Sequence, residues 1–460
     1  MDLLLINPPR EIPQHADFPP MGLAYIASYL KKHGITVRVL DAASFSWKQL
    51  QKAFKIYTPR IVGIPCWTVE REQSFRAAEL VKTVLPESKL IMGGHHATSF
   101  PAHMFQLADT DAVVIGEGEI TSLELVRAML ADEDLGNVRG IAYVKEGEVV
   151  FTEPRPLIED LDSLPFPCHD DFNLDEYLGL PENKGRACSI MTSRGCPHKC
   201  IYCSGSNFWH RKWRPRSPEN VLDEIEWVYK DLNVRNILFF DDNFTVNKDR
   251  AIKICEGIIE RGLNIKWVAE SHVSHINREL LEWMKKSGCY RIDFGVESGS
   301  PRILKTVQKK QTVEQIEEAF KLTHEAGIKP RAYLMVGNPG EDEETIKETA
   351  AFMKKIKPWD TLGAHPLLVL PSTEVYEMAK AKGIIDDDYW LNHHGMMYYT
   401  AEHSPKELQA LRELLMRELA MNHGGFNAYA RYLLRKMYYR YPVLQKLRKW
   451  KGVVSERVAQ

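Results

Sequence analysis

The sequence has no apolar run of about 18 residues, the length a membrane-spanning helix needs. It opens "MDLLLINPPR", without a basic n-region or a small-residue cleavage site, and reads as a buried strand rather than a signal peptide. Cysteine is scarce: eight residues scattered through 460 argue against a disulfide framework and for a reducing cytosol. The formal net charge is only −2, and nothing global suggests a nucleic-acid partner, which would favour a basic stripe. No G-x-G-x-x-G opens the first helical segment, which argues against a nicotinamide or flavin dinucleotide. What is present is 44% hydrophobic residues over a chain long enough for two or three domains with separate cores.

The first 150 residues alternate strand and helix. Apolar runs at 3–6, 36–42, 60–67, 89–96 and 111–119 read as strands, with helical patterns at 21–32, 47–56 and 70–84 between them. Short apolar strands separated by helices mean βαβ units and a doubly wound parallel sheet. In such sheets ligands sit outside the carboxyl ends of the strands. Those ends read Asn7-Pro8-Pro9, Cys66-Trp67-Thr68, Gly93-Gly94-His95-His96 and Gly116-Glu117-Gly118-Glu119. Glycine there either lets a backbone approach a bulky ligand or makes a tight βα turn, and composition does not separate the two. A hairpin is expected at 138–152. The proline- and acid-rich stretch 151–186 reads as a linker crossing a surface, with Cys168 and His169 structural rather than ligating.

A second alternating segment spans 187–375. Strands are expected at 187–192, 235–240, 265–269, 290–295, 331–336 and 365–370, with helices at 218–231, 247–261, 277–287, 312–326 and 341–356. Six βα units suggest a partial (βα)6 barrel of TIM type, whose chemistry collects where strands end. Those ends carry Asp241-Asp242-Asn243, Glu270, Glu297-Ser298 and Gly337-Asn338. Any one alone suits a helix N-cap; together they point polar groups into one cavity. On the same rim lies "RGCPHKCIYC", with Cys196, Cys200 and Cys203 within eight residues. A structural zinc wants four tetrahedral ligands, and only His198 and His210 stand near as a fourth; an iron–sulfur cube takes thiolates and, with three, keeps one iron open. Residues 376–460 read as a mostly helical C-terminal region. Ser404 and Glu407 form a capping box for a helix over 404–421, and a basic, tyrosine-rich stretch follows. That stretch is either an amphipathic surface making peripheral contact with anionic lipid or a helix packed over the barrel with its charges in water.

Cys196-x-x-x-Cys200-x-Tyr202-Cys203 resembles the signature of the radical S-adenosylmethionine (SAM) superfamily. The sheet with "NPP", "GGHH" and "VIGEGE" ahead of it resembles the cobalamin-binding branch. The resemblance implies a Rossmann-like cobalamin domain over 1–150, a linker over 151–186 and a radical SAM barrel over 187–375. It implies a 4Fe–4S cluster on the three cysteines, SAM near Tyr202, Asp241, Asp242, Asn243, Glu270, Glu297, Ser298, Gly337 and Asn338, and cobalamin near Asn7, Pro8, Pro9, Thr68, Gly93, Gly94, His95, Gly116, Glu117 and Gly118. The Asp-x-His-x-x-Gly motif that supplies a cobalt ligand elsewhere is absent, so His95 and His96 are expected to hydrogen-bond rather than ligate. The implied reaction is methyl transfer to an unactivated carbon or phosphorus centre by way of cobalamin and a 5′-deoxyadenosyl radical. The alternative is ring closure or oxidation without methyl transfer, as in anaerobic tetrapyrrole cyclases. A methylthiotransferase is disfavoured, because only Cys66 lies in the first 150 residues and a second cluster needs more. Expected partners are a small or lipid-like substrate and a low-potential donor of flavodoxin or ferredoxin type.

Overall fold

The computed structural model describes residues 1–180, 182–183 and 185–421. The basic stretch expected to meet lipid lies in 422–460, outside the described residues. No described helix is long and apolar enough to cross a membrane.

The first sheet contains β1 (Leu3–Asn7), β2 (Val37–Asp41), β3 (Ile61–Pro65), β4 (Lys89–Gly93), β5 (Ala112–Val114), β6 (Ile141–Lys145) and β7 (Glu148–Phe151), in the order β2-β1-β3-β4-β5-β6-β7. The first five pair in parallel, and β6 and β7 close the edge antiparallel. Alternation along β1 explains why its sequence is apolar throughout. Leu3 and Leu5 pack toward helices Met21–Lys32 and Gly118–Ala131, while Leu4 and Ile6 pack toward Trp47–Tyr57 and Arg71–Val84. Two strands are shorter than their apolar runs. β4 stops at Gly93 because Gly94 turns to φ +94°, and His95 opens the helix His95–Ser99 instead of ending the strand. β5 is only three residues long.

The second sheet contains β8 (Ala187–Ile190), β11 (Asn236–Phe239), β12 (Lys266–Ser271), β13 (Cys289–Glu297), β14 (Lys329–Val336) and β15 (Asp360–Pro366), all parallel and in chain order. Two short strands, β9 (Ser193–Arg194) and β10 (Arg214–Pro215), pair antiparallel at its mouth. Among the described residues β8 and β15 do not pair, so the barrel is partial. Helices cover its outside, meeting Ile237, Phe239, Trp267, Ile292 and Phe294. The last strand was expected at 365–370. It begins at Asp360 instead, and Leu367 and Val369 leave it to pack in a separate core with Val375, Tyr376 and Trp390.

The barrel interior below the mouth is charged. Inward-facing Arg291 and Asp293 on β13 pair at 2.9 Å, and Arg331 on β14 approaches Asp293 at 3.4 Å. Both arginines bond Glu182, at 2.5 and 3.0 Å. Glu182 belongs to the segment expected to cross a surface; that segment instead supplies the counter-charge at the amino ends of the strands. His169 in the same segment is fully buried against Glu224 at 2.9 Å, and Cys168 is buried against Ala24.

The carboxyl ends of the two sheets face each other across a buried clasp. Arg194, on β9, reaches Glu117 at 2.6 Å and Glu119 at 2.5 Å, and Arg214 on β10 reaches the other oxygen of Glu117 at 2.9 Å. These side chains are almost fully removed from water. Burying charge is costly unless it is paired, and removing one member strands the others. Arg194→Ala is therefore expected to destabilise the protein by about 3–5 kcal/mol, because Glu119 loses its cation and Glu117 keeps only Arg214. Urea denaturation followed by tryptophan fluorescence reads the loss, and a change below about 1 kcal/mol, the size of an exposed pair, contradicts it.

Candidate functional site

Cys196, Cys200 and Cys203 lie on one loop immediately after β9, each half-buried. Several bonds hold that loop. Asp241, at the end of β11, accepts from the Thr192 amide and hydroxyl, both at 2.6 Å, and from the Ser193 hydroxyl at 2.7 Å. Gly195 takes φ +87° where a Cβ would collide with the Lys212 carbonyl, so only glycine fits. The Ile201 amide donates to the Val307 carbonyl, and its own carbonyl accepts from Val375. Among the described residues no three His, Cys, Asp or Glu side chains gather closely enough to hold a single metal ion. The three sulfurs nevertheless sit within range of each other's charge. Three thiols on one loop match an iron–sulfur cube that keeps one iron open, whereas a structural zinc wants four ligands. Burial pushes the Cys196 thiol up to about 12.

The strand-end acids separate into struts and open groups. Asp241 is a strut, with both oxygens engaged by the loop. Its neighbour Asp242 accepts from the Gly195 amide at 3.1 Å through one oxygen and is exposed at the mouth. Its enclosure by protein, then the charge of Asp241, raises its carboxyl. Asn243 bonds His275 at 3.1 Å, and Ser298 bonds Thr349 at 3.0 Å; both are struts. Glu270, next to the end of β12, has one side-chain hydrogen bond among the described residues, the Tyr333 hydroxyl donating at 3.4 Å. Burial first, then the charges of Asp293 and Asp242, lifts its carboxyl to about 7. Glu297, at a bulge ending β13, accepts from the Tyr202 hydroxyl at 3.0 Å and from Lys309 at 2.8 Å. The Gly337 and Asn338 amides donate to Glu341, whose carboxyl burial lifts to about 7, and the Asn338 side-chain oxygen is buried without a partner. Asp242 and Glu270 are thus the carboxylates left with capacity for an ammonium or a diol.

The expected cobalamin residues also divide. Pro8 and Pro9 line a cavity of about 370 Å³ with Asn7, Arg10, Trp67 and Val69. It lies between β1 and β3, where the strand order reverses, the usual ligand position in such a sheet. Thr68 bonds fully buried His96 at 3.1 Å. His95 is stacked between Trp67 and Phe208, at 4.6 and 4.0 Å, and burial lowers its ring to about 4, so it is neutral. Gly94 is explained by its own packing on the Cys66 backbone and Gly118 by Ile26; a Cβ at Gly93 would make only ordinary contact with Val114, and one at Gly116 would meet open space. Glu117 was expected near cobalamin and is instead taken by the clasp. Trp67, Arg194, Lys309 and Tyr333 are additions that the sequence left unmarked, apart from the place of Trp67 beside Cys66 at a strand end.

The model of the radical SAM superfamily matches residues 190–353, and that of the B12 binding domain matches 14–126. An uncharacterised methyltransferase of Pyrococcus horikoshii is 32% identical, over 95% of this chain and 99% of its own. The anaerobic magnesium-protoporphyrin IX monomethyl ester cyclase of Cereibacter sphaeroides is 30% identical, over 96% of this chain and 70% of its own. The radical SAM methyltransferase TsrM of Kitasatospora setae, solved with tryptophan substrate and the SAM analogue aza-SAM, superposes with a TM-score of 0.70 at 20% identity, covering 82% of this chain and 76% of that one. That likeness is one of fold.

Two outcomes are expected from the site. Anaerobic reconstitution should load about four irons per chain, and changing Cys196, Cys200 and Cys203 to alanine should abolish the cluster's visible absorbance. Cys168→Ala, Cys188→Ala and Cys289→Ala should each keep it; loss in any of these contradicts the assignment. Glu270 gives the apoprotein a pH signature. Its carboxyl rises from 4.5 to about 7 on folding, so the folded chain holds the proton more tightly. Stability is then full below the unfolded value and declines as pH rises through that window. Glu270→Gln should remove its share of the decline, read as thermal midpoints at about pH 5 and pH 8; an unchanged slope contradicts this.

Proposed function

The chain belongs to the cobalamin-binding branch of the radical SAM superfamily, and on that premise we propose that it transfers a methyl group to an unactivated carbon or phosphorus centre of a small molecule. One observation carries this choice: the Pyrococcus horikoshii relative, matched nearly end to end, is named a methyltransferase. Cys196, Cys200 and Cys203 would hold the 4Fe–4S cluster. Asp242 and Glu270 would receive the ammonium and ribose hydroxyls of SAM, and Asn7, Pro8, Pro9, Thr68 and Gly116 would contribute to the cobalamin site. When bound, the cluster supplies the electron that cleaves SAM, and cobalamin supplies a carrier for the methyl group.

The chain's own residues prepare the site for this chemistry. Asp242 is a hydrogen-bond acceptor held in place by the Gly195 amide. Glu270, poised near neutrality, accepts from hydroxyls when ionised and donates when protonated. Phe240 and Trp67 are half-exposed apolar side chains just past the carboxyl ends of β11 and β3. An external low-potential donor of flavodoxin or ferredoxin type would supply the electron, and the substrate would be small or lipid-like. A second reading, ring closure or oxidation without methyl transfer, is favoured by the cyclase relative matched over 96% of this chain.

The assay is anaerobic, with strong reductant, hydroxocobalamin, SAM deuterated in its methyl group, and a small-molecule extract of the source cells. Methyl transfer predicts that extract raises 5′-deoxyadenosine and S-adenosylhomocysteine in comparable amounts and that a product gains the labelled methyl mass. Extract-dependent 5′-deoxyadenosine alone, with an unlabelled product, contradicts methyl transfer and selects the second reading.

A further inference from the structure

Three non-glycine residues in the left-handed region converge beside the cysteine loop: Glu297 (φ +65°), Gln308 (φ +53°) and Lys310 (φ +55°). Such conformations cost about 1–3 kcal/mol each and persist where surrounding structure imposes them. Here that structure is a short loop after helix Pro301–Thr306. It is tied to the cysteine loop by the Ile201 amide on the Val307 carbonyl, and to the bulged end of β13 by the Gln311 side chain on the carbonyls of Gly295 and Val296, at 3.1 Å each. His272 bonds the Lys309 carbonyl at 3.0 Å. The effect of all this is to bring one ammonium inside. Lys309 Nζ is largely buried, 2.8 Å from Glu297 and 3.0 Å from the Tyr202 hydroxyl. Tyr202 itself bonds Glu297 at 3.0 Å, closing a triangle. Gly295 completes it: a Cβ there would collide with both Lys309 Nζ and the Glu297 carboxylate.

Tyr202 lies between Cys200 and Cys203 in the chain, so the triangle is anchored within the cysteine loop itself. We infer that Lys309 is a positioning residue for the iron–sulfur site: it fixes the Tyr202 ring against Glu297 and sets the cluster's reduction potential through its positive charge. A buried cation acts at much lower effective dielectric than one in water. Glu297 carries the opposite charge and meets the same Tyr202 hydroxyl, so the two side chains act in opposite senses on the site. A reduced cluster carries one more negative charge than an oxidised one, so a fixed cation favours reduction and a fixed anion opposes it.

The inference rests on the cluster assignment, not on the methyl-transfer reading, and the test separates them: iron content is read first, potential second. The probe is the reconstituted full chain without SAM or substrate, titrated with dithionite and mediator dyes and followed by electron paramagnetic resonance of the reduced cluster. Lys309→Met keeps the length of the side chain and removes its charge. It should shift the midpoint potential to more negative values, by about tenfold in the reduction equilibrium or ~59 mV for one electron. Glu297→Gln removes the opposing charge and should shift it in the positive direction. A potential unchanged in Glu297→Gln, or shifted the same way in both variants, overturns the inference. So does Lys309→Met with full iron and the wild-type potential. If Lys309→Met folds without binding iron, the sign of the Glu297→Gln shift decides alone.

Discussion

Everything that makes this site usable depends on a buried arginine held between two glutamates. Arg194 is the last residue of a short strand, followed directly by Gly195 and Cys196. Its guanidinium is committed to Glu117 and Glu119, which lie just past the end of β5 in the other sheet. The docking of the two domains and the orientation of the cysteine loop are therefore one constraint. Buried charge pairs are a poor source of net stability, because desolvation offsets most of the attraction. What this one supplies is geometry: misplacing either domain would leave charges without partners. The same junction carries the Trp67–His95–Phe208 stack, and Trp209 lies beneath the guanidinium groups of Arg194 and Arg214.

A second constraint comes from below. Most barrels of this kind fill their interior with apolar layers. Here the interior beneath Glu270 holds two arginines, Asp293 and the Glu182 brought in by the connecting segment. Burial pushes the acids above this network toward neutrality, helped by Asp293 at Glu270 and by Asp241 at Asp242. Perturbed carboxyls in a cleft are functional-site candidates, and structural ion-pair networks perturb them too. In this chain the carboxylates that no strut has claimed, Asp242 and Glu270, are among them.

Much of the architecture was legible because alternation and period are local properties. β1 shows it best, with four apolar residues split between two faces. The strand ends were legible as a rim, but the role of each residue was not, since a carboxylate's partners are decided by tertiary contact. Asp241 and Asp242 are adjacent in sequence, yet one braces the loop and the other faces the mouth. Glu117 looked like part of a glycine-rich ligand loop and proved to be half of a clasp whose other half lies 77 residues away. Lys309 left no trace in the sequence, because its loop has neither period nor motif. The end of β4 was misplaced by the apolar run continuing into Gly94, whose backbone turns there.

The central claim is that the strand-end rims of the two sheets face each other across the Arg194 clasp, one for the cluster and one for cobalamin. Electron paramagnetic resonance of protein carrying both tests it directly, with cobalamin in its paramagnetic cobalt(II) form. If the rims face each other, reducing the cluster will broaden the cobalt signal and speed its relaxation, and the effect will vanish when Cys196, Cys200 and Cys203 are alanine. A cobalt signal indifferent to the reduced cluster in a fully loaded protein would contradict the arrangement.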